Sequence, residues 1–256
     1  METTQYERTD LISELSIELK HRILECLSTR YVSRMAMLST IWKNVWLQHG
    51  RLVFDQDFFE SIRKYVVANS TSAVNIINNI LLLRLNKVLN QHNGLIRTFV
   101  VNFQGNTRKS LRSRSFDIDQ WFLFVTRKGV EDIFLSFMVG DDYRFPSYIF
   151  SCPTLRVLYL DTVSIKLCAY CTLPNVTSLV FKNIDFHGVD LPDPVDFPLL
   201  QNLSFIRCYN LPNLKITAKI LDILVLNDSH FYYVPIYSNL RSLRVLELDC
   251  YSLVVS

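Results

Sequence analysis

Leu155-Arg156-Val157-Leu158-Tyr159-Leu160 decides the fold: apolar side chains stand at its first, fourth and sixth positions, and the last two alternate as in a strand. The same frame returns at Val176/Leu179/Phe181, Leu200/Leu203/Phe205, Leu221/Leu224/Leu226 and Leu243/Leu246/Leu248. Its middle positions are separated by 21, 24, 21 and 22 residues. An earlier copy fits at Val130/Ile133/Leu135 and a looser one at Ile96/Phe99/Val101. One copy buries too little apolar surface to fold alone, so neighbours must stack, and stacking predicts a solenoid with a ladder of parallel strands and a concave sheet.

The interval is that of a leucine-rich repeat. Turn residues precede several frames, as in Cys152-Pro153-Thr154 and Leu173-Pro174-Asn175, which keeps proline outside the ladder. The apolar members of each frame are expected in the core. Contacts with a partner are then expected from the side chains between them, among them Arg156, Tyr159, Asp161, Thr177, Lys182, Ser204, Arg207, Asp222, Asn227, Arg244 and Glu247. Their mixed charge names no substrate.

Outside the repeats the periodicity is helical. Ile17, Leu19, Ile23, Leu24 and Leu27 predict a short amphipathic helix over about Ser16 to Leu27, with Ser16 as N-cap. Ser28-Thr29 is a break, a second helix buries Val32, Met35 and Ala36, and a third, capped by Ser39 or Thr40, presents Trp42, Val45 and Trp46 on one face. Three such helices in about forty residues make a core too small to stand alone. Val74, Ile77, Leu81, Leu85 and Val88 predict a further helix over Ser72 to Leu89 that caps the open edge of the ladder.

In total 256 residues carry 49% hydrophobic and 20% charged side chains, a folding composition rather than a disordered one. Neither G-x-G-x-x-G nor G-x-x-x-x-G-K-[ST] occurs, so phosphate-cradling chemistry of those kinds is not expected. No apolar run reaches 18 residues and no apolar leader follows Met1, so the expectation is a soluble chain without a membrane partner, resident in the nucleus, the cytoplasm or both. Residues 61–129 hold 11 basic and 2 acidic side chains, densest at Arg108-Lys109-Ser110-Leu111-Arg112-Ser113-Arg114. That stretch reads as a solubilising loop, with an acidic protein surface or nuclear import as alternatives; no aromatic platform interleaves with it, so nucleic acid is not the expected partner.

The N-terminal residues carry a resemblance. Asp10-Leu11-Ile12-Ser13-Glu14-Leu15, Ile23-Leu24-Glu25-Cys26-Leu27, Met37-Leu38-Ser39 and Trp42-Lys43-Asn44-Val45-Trp46, followed by Leu52-Val53-Phe54-Asp55, are similar to the F-box of plant F-box/leucine-rich-repeat proteins. Trp121-Phe122-Leu123-Phe124 and Phe145-Pro146-Ser147-Tyr148-Ile149-Phe150 resemble the repeat-domain signatures of the same family, whose longer members carry a C-terminal FBD portion that is not seen here. The resemblance implies an α/β architecture: a three-helix F-box at 8–50, a linker and capping helix at 51–94, and a leucine-rich-repeat solenoid at 95–256. It implies docking to a Skp1-like adaptor through Leu15, Ile23, Leu24, Leu27, Val32, Trp42 and Trp46, and hence indirect attachment to a cullin-RING ubiquitin ligase, with a protein substrate held on the repeats. Ser16 and Ser28 depart from the family, which usually has proline at both places. An alternative is an interaction scaffold or competitor that has lost productive adaptor docking.

No catalytic machinery is expected. His187 with Asp185 or Asp190, and His230 with Asp228 and Ser229, are acid-base pairs on paper only, since triads are assembled by folding from distant segments. Cys168-Ala169-Tyr170-Cys171 has metal or redox spacing but no matching second ligand pair, so neither a metal nor another cofactor is expected.

Overall fold

In the computed structural model, residues 11–12, 14–63, 86–103, 115–137, 143–166, 173–187, 195–210, 216–227, 236–238 and 242–249 are described. The chain opens with three helices, α1 (Ile17–Glu25), α2 (Thr29–Leu38) and α3 (Thr40–Trp46), then strand β1 (Arg51–Phe54) and helix α4 (Gln56–Arg63). A helical stretch over 86–91, α5, leads to β2 (Thr98–Asn102), α6 (Ser115–Arg127) and β3 (Asp132–Ser136). Then come β4 (Arg144–Phe145), β5 (Val157–Asp161), β6 (Ser164–Ile165), β7 (Ser178–Lys182), β8 (Asp185–Phe186), β9 (Val195–Asp196), β10 (Asn202–Ile206), β11 (Ile216–Ala218), β12 (Ile223–Asn227), β13 (Ile236–Ser238) and β14 (Val245–Asp249).

The helix starts follow the sequence signals. Ser16, extended at φ −62° and ψ 156°, caps α1 by accepting a hydrogen bond from the Leu19 amide at 3.4 Å. Ser28 and Ser39 stand at the N-caps of α2 and α3 without a side-chain cap bond.

The main sheet runs β1-β2-β3-β5-β7-β10-β12-β14, every neighbour parallel. Its frame residues are the core: Leu155, Leu158, Leu160, Val176, Leu200, Leu203, Phe205 and Leu221 are completely buried, as are Val130 and Ile133 of the earlier copy. Two three-stranded parallel sheets, β4-β6-β8 and β9-β11-β13, form a second layer. Phe145 of β4 packs edge-on against Phe122 of α6, and Phe186 of β8 against Phe181 of β7. Side chains of alternating direction on the strands and one apolar face on α6 thus close a single core.

Two places differ from expectation, and a third lies largely outside the described residues. The ladder starts at Arg51–Phe54, inside the stretch expected as linker, because Leu52 and Phe54 point into the repeat core and β1 finds free backbone partners on β2. The last frame is open: Leu246 and Leu248 are 54% and 44% exposed, since no described strand stacks on β14. Of the helix expected over Ser72 to Leu89, only its end lies within the described residues; there Leu89 is buried in the repeat core and Val88 packs on both the helical and the repeat cores. The basic stretch at 108–114, the Cys168/Cys171 pair and the Asp228/Ser229/His230 group lie outside the described residues. Among those described, no helix is long and apolar enough to cross a membrane.

Candidate functional site

Two surfaces are candidates, one on the helices and one on the solvent-facing side of the main sheet. The helical unit has its own small core of Leu24, Val32, Ala36, Trp42, Val45 and Trp46, with Ile23, Leu27, Met35 and Leu47 packed partly buried around it. Helices this short cannot cover all their apolar residues, and Leu11, Ile12, Ile17, Leu19, Tyr31, Met37 and Ile41 remain exposed, from 42% at Ile41 to 79% at Met37. That many large apolar side chains within about thirty residues is a surface that gains by being covered.

A joint fixes this unit to the ladder. The amides of Asn93 and Gly94 donate to the Leu47 carbonyl at 2.9 and 3.2 Å, and those of Arg97 and Thr98 donate to the Gly50 carbonyl at 2.7 and 3.0 Å. Gly94 lies so close that a Cβ there would stand 2.7 Å from the Gln48 Cα and carbonyl oxygen, leaving no room for a side chain. Buried His49 stacks on His21 at 6.2 Å, and burial together with the charges of His21 and Arg51 lowers its pKa to about 4. An open groove beside the joint carries both signs of charge, from Glu18, Arg22, Arg51, Arg97 and Asp132.

On the ladder, Asp161 is a buried hub at the end of β5. It accepts from Asn183 Nδ2 at 2.7 Å, Thr162 Oγ1 at 3.0 Å and Ser136 Oγ at 3.4 Å, and pairs with Lys182 Nζ at 3.3 Å. Thr162 and Asn183 hold positive φ there, at 60° and 50°, as the chain turns off the strand. Tyr159, beside the hub, has its pKa raised by burial and by the Asp161 charge.

Residues 118–248, about half of the chain, match the family described as the leucine-rich repeats of FBD-associated F-box protein At5g56370. The chain belongs to this family. Residues 12–54 match the F-box domain in addition. Among relatives from Arabidopsis thaliana, F-box/FBD/LRR-repeat protein At1g13570 is 32% identical over 154 residues, 60% of this chain and 33% of that protein. The putative F-box/FBD/LRR-repeat protein At4g03220 is 28% identical over 239 residues, 89% of this chain and 44% of that protein. F-box/LRR-repeat protein At5g02910 is 24% identical over 210 residues, covering 78% and 39%. The chain thus spans less than half the length of these curated relatives. No solved structure matches it.

Within the F-box, the seven residues expected to dock an adaptor divide by burial. Leu24, Val32, Trp42 and Trp46 are buried at 8% exposure or less and face one another, so they build the unit rather than its outer surface. Leu15, Ile23 and Leu27 are half-buried and reach solvent. Exposed Ile12, Tyr31, Met37 and Ile41 were not among the seven; helical spacing shows which residues are apolar together, whereas exposure depends on which face the neighbouring helix covers. On the repeats, sequence reasoning missed Phe134, an apolar residue lodged between the frame residues Ile133 and Leu135 that faces away from the core. Period-two alternation was the signal that could have found it. The paper pair of His187 and Asp185 does form, at 3.4 Å with both side chains about half exposed; its other expected member, Asp190, lies outside the described residues.

Proposed function

We propose that this chain is the substrate-recognition subunit of a Skp1-cullin-F-box ubiquitin ligase, acting in the nucleus or cytoplasm. Residues 8–50 dock a Skp1-like adaptor, 51–94 hold the joint, and the repeats at 95–256 hold a protein substrate. The observation that carries the reading is the set of large apolar side chains left uncovered on an F-box too small to bury them. Ile12, Ile17, Leu19, Tyr31, Met37 and Ile41 form the docking surface, with Leu15, Ile23 and Leu27 at its base and Leu24, Val32, Trp42 and Trp46 as the core that shapes it. Apolar burial of this kind supplies most of the affinity in such an interface. The chain itself performs no bond chemistry in this role. It raises the effective concentration of a substrate lysine near the ubiquitin-charged enzyme carried by another subunit.

The test is capture of purified Skp1, followed by titration calorimetry with circular dichroism as the folding control. Wild type should bind with submicromolar Kd, about 8 kcal/mol or more. Leu19→Asp with Met37→Asp should weaken capture at least tenfold with the helical signal intact. Leu24→Lys with Trp46→Lys should lose both capture and part of that signal. Folded wild type that captures no Skp1 overturns the assignment and leaves a repeat scaffold.

A further inference from the structure

Within each strand of the main sheet, the residue between the two core positions faces away from the core. In register these make the row Val100, Phe134, Tyr159, Val180, Ser204 and Val225, one strand spacing of about 4.8 Å apart. All but Ser204 are partly open to solvent, and the Phe134 and Tyr159 rings lie side by side at 6.2 Å. Several charged groups around this row already have hydrogen-bond partners inside the face, and one of them, Asp161, is paired with a cation. Asp132 accepts from Thr98 Oγ1 at 3.0 Å, Asp161 is held by Lys182 and Asn183, and Glu247 accepts from Asn227 Nδ2 at 3.2 Å. Along the flank where the strands begin, Glu131 pairs with Arg156 at 3.7 Å and Asp222 takes the Arg244 guanidinium in a two-point bond. A phosphorylated or acidic segment lying here would meet the carboxylates of Asp132 and Glu247, which no cation compensates among the described residues, and a strongly charged segment of either sign would have to leave water for a row of apolar and aromatic side chains, which costs desolvation.

We propose that this solvent-facing side of the main sheet binds an extended, unphosphorylated and uncharged peptide segment through apolar and aromatic side chains, with Val100, Phe134, Tyr159 and Val180 as its floor. The inference rests on the substrate-holding role proposed above and narrows the substrate class. A row from Val100 to Val225 spans six strands, roughly 24 Å, the reach of about seven extended residues. Recognition by burial of uncharged groups, with no ion pair formed to the ligand, makes binding insensitive to ionic strength.

The probe is a library of random twelve-residue peptides displayed on phage and panned on the full chain. Enriched peptides are then synthesised, with and without phosphate on any Ser, Thr or Tyr, and titrated by fluorescence anisotropy. The expected peptides are rich in Leu, Ile, Phe, Tyr and Trp and carry no net charge; their Kd shifts less than about threefold between about 50 mM and about 500 mM salt. Phe134→Asp should weaken them at least tenfold, and so should Phe134→Ser with Val180→Ser, a milder change that guards against misfolding by the first. Enrichment of charged or phosphate-dependent peptides, a salt effect above tenfold, indifference to both variants, or no enrichment at all each overturns the proposal. Skp1 capture by the same preparations reports separately on the adaptor reading, so the two can fail independently.

Discussion

The imidazole Nε2 of His92 lies 2.8 Å from the backbone carbonyl oxygen of His49, and both rings are buried at the seam between the helical unit and the ladder. With the hydrogen bonds from the Asn93 and Gly94 amides to the Leu47 carbonyl and from the Arg97 and Thr98 amides to the Gly50 carbonyl, this contact makes the seam a hydrogen-bonded joint in place of a tether. Relative motion of the two parts would therefore expose backbone groups that are now paired.

The joint should be acid-labile. Burial, aided by His21, Arg51 and His92, lowers the His49 pKa to about 4, and burial with the Lys128 charge also lowers that of His92 against the hydrogen bond to the His49 carbonyl. An unfolded histidine takes its proton near pH 6.5, so below that pH the unfolded chain binds more protons than the native one. Stability is full above about pH 6.5 and falls progressively towards pH 4, by up to about 3 kcal/mol from His49. Thermal melts across pH 4 to 8 should show this drop, shallower in His49→Gln; equal slopes in both proteins count against it.

Gly94→Ala should destabilise the same joint. The new Cβ would meet the backbone of Gln48 at 2.7 to 2.9 Å, and backbone yields less readily than a side chain. A cost of about 1–3 kcal/mol is expected in urea unfolding. Gly50→Ala, whose nearest neighbour would be 3.6 Å away, is the control and should cost less than about 1 kcal/mol.

Ser28→Pro should stabilise the chain. Ser28 already holds φ −70° and ψ 153°, which proline adopts without strain, and its buried hydroxyl has no hydrogen-bond partner among the described residues. Restricting the unfolded chain contributes about 0.4–1 kcal/mol. Ser16→Pro should gain less, since φ −62° also suits proline but the bond from the Leu19 amide is lost. Melting temperatures rank the two, and a lower value for Ser28→Pro than for wild type refutes the comparison.

Removing the hub should cost more than removing its cation. Asp161→Ala leaves Ser136, Tyr159, Thr162, Asn183 and Lys182 without this acceptor, a loss of about 2–4 kcal/mol. Lys182→Met leaves the hydrogen bonds to Asp161 in place and should cost under about 1 kcal/mol. The order of the two urea midpoints decides.

The ladder was legible because its signal is arithmetical: an apolar frame repeating about every 21 to 24 residues admits one stacking, and Leu158, Leu179, Leu203 and Leu224 pair as that spacing requires. β1 was harder to read, because Leu52 and Phe54 offer only half a frame and follow helices directly; they join the sheet through tertiary pairing that no local pattern announces. The residues expected to dock an adaptor show the same boundary. Amphipathic spacing found Leu24 and Trp42, yet their burial is set by how α2 and α3 close over α1, and the apolar residues left outside, such as Met37, look no different in sequence. Asp161 was singled out as a surface contact because it sits at an odd position, while the neighbours that bury it come from three different turns of the solenoid.

Register is the same at every step of the ladder, so each strand meets its neighbours as any other strand would. A cut after Arg156 rejoined at Ser178 would set Leu179 directly against Ile133, apolar on apolar, and still close the interior. Such a coil can be shortened, duplicated or shuffled by genetic recombination in whole turns, and each exchange rewrites one rung of the solvent-facing row while leaving the scaffold's geometry unaltered.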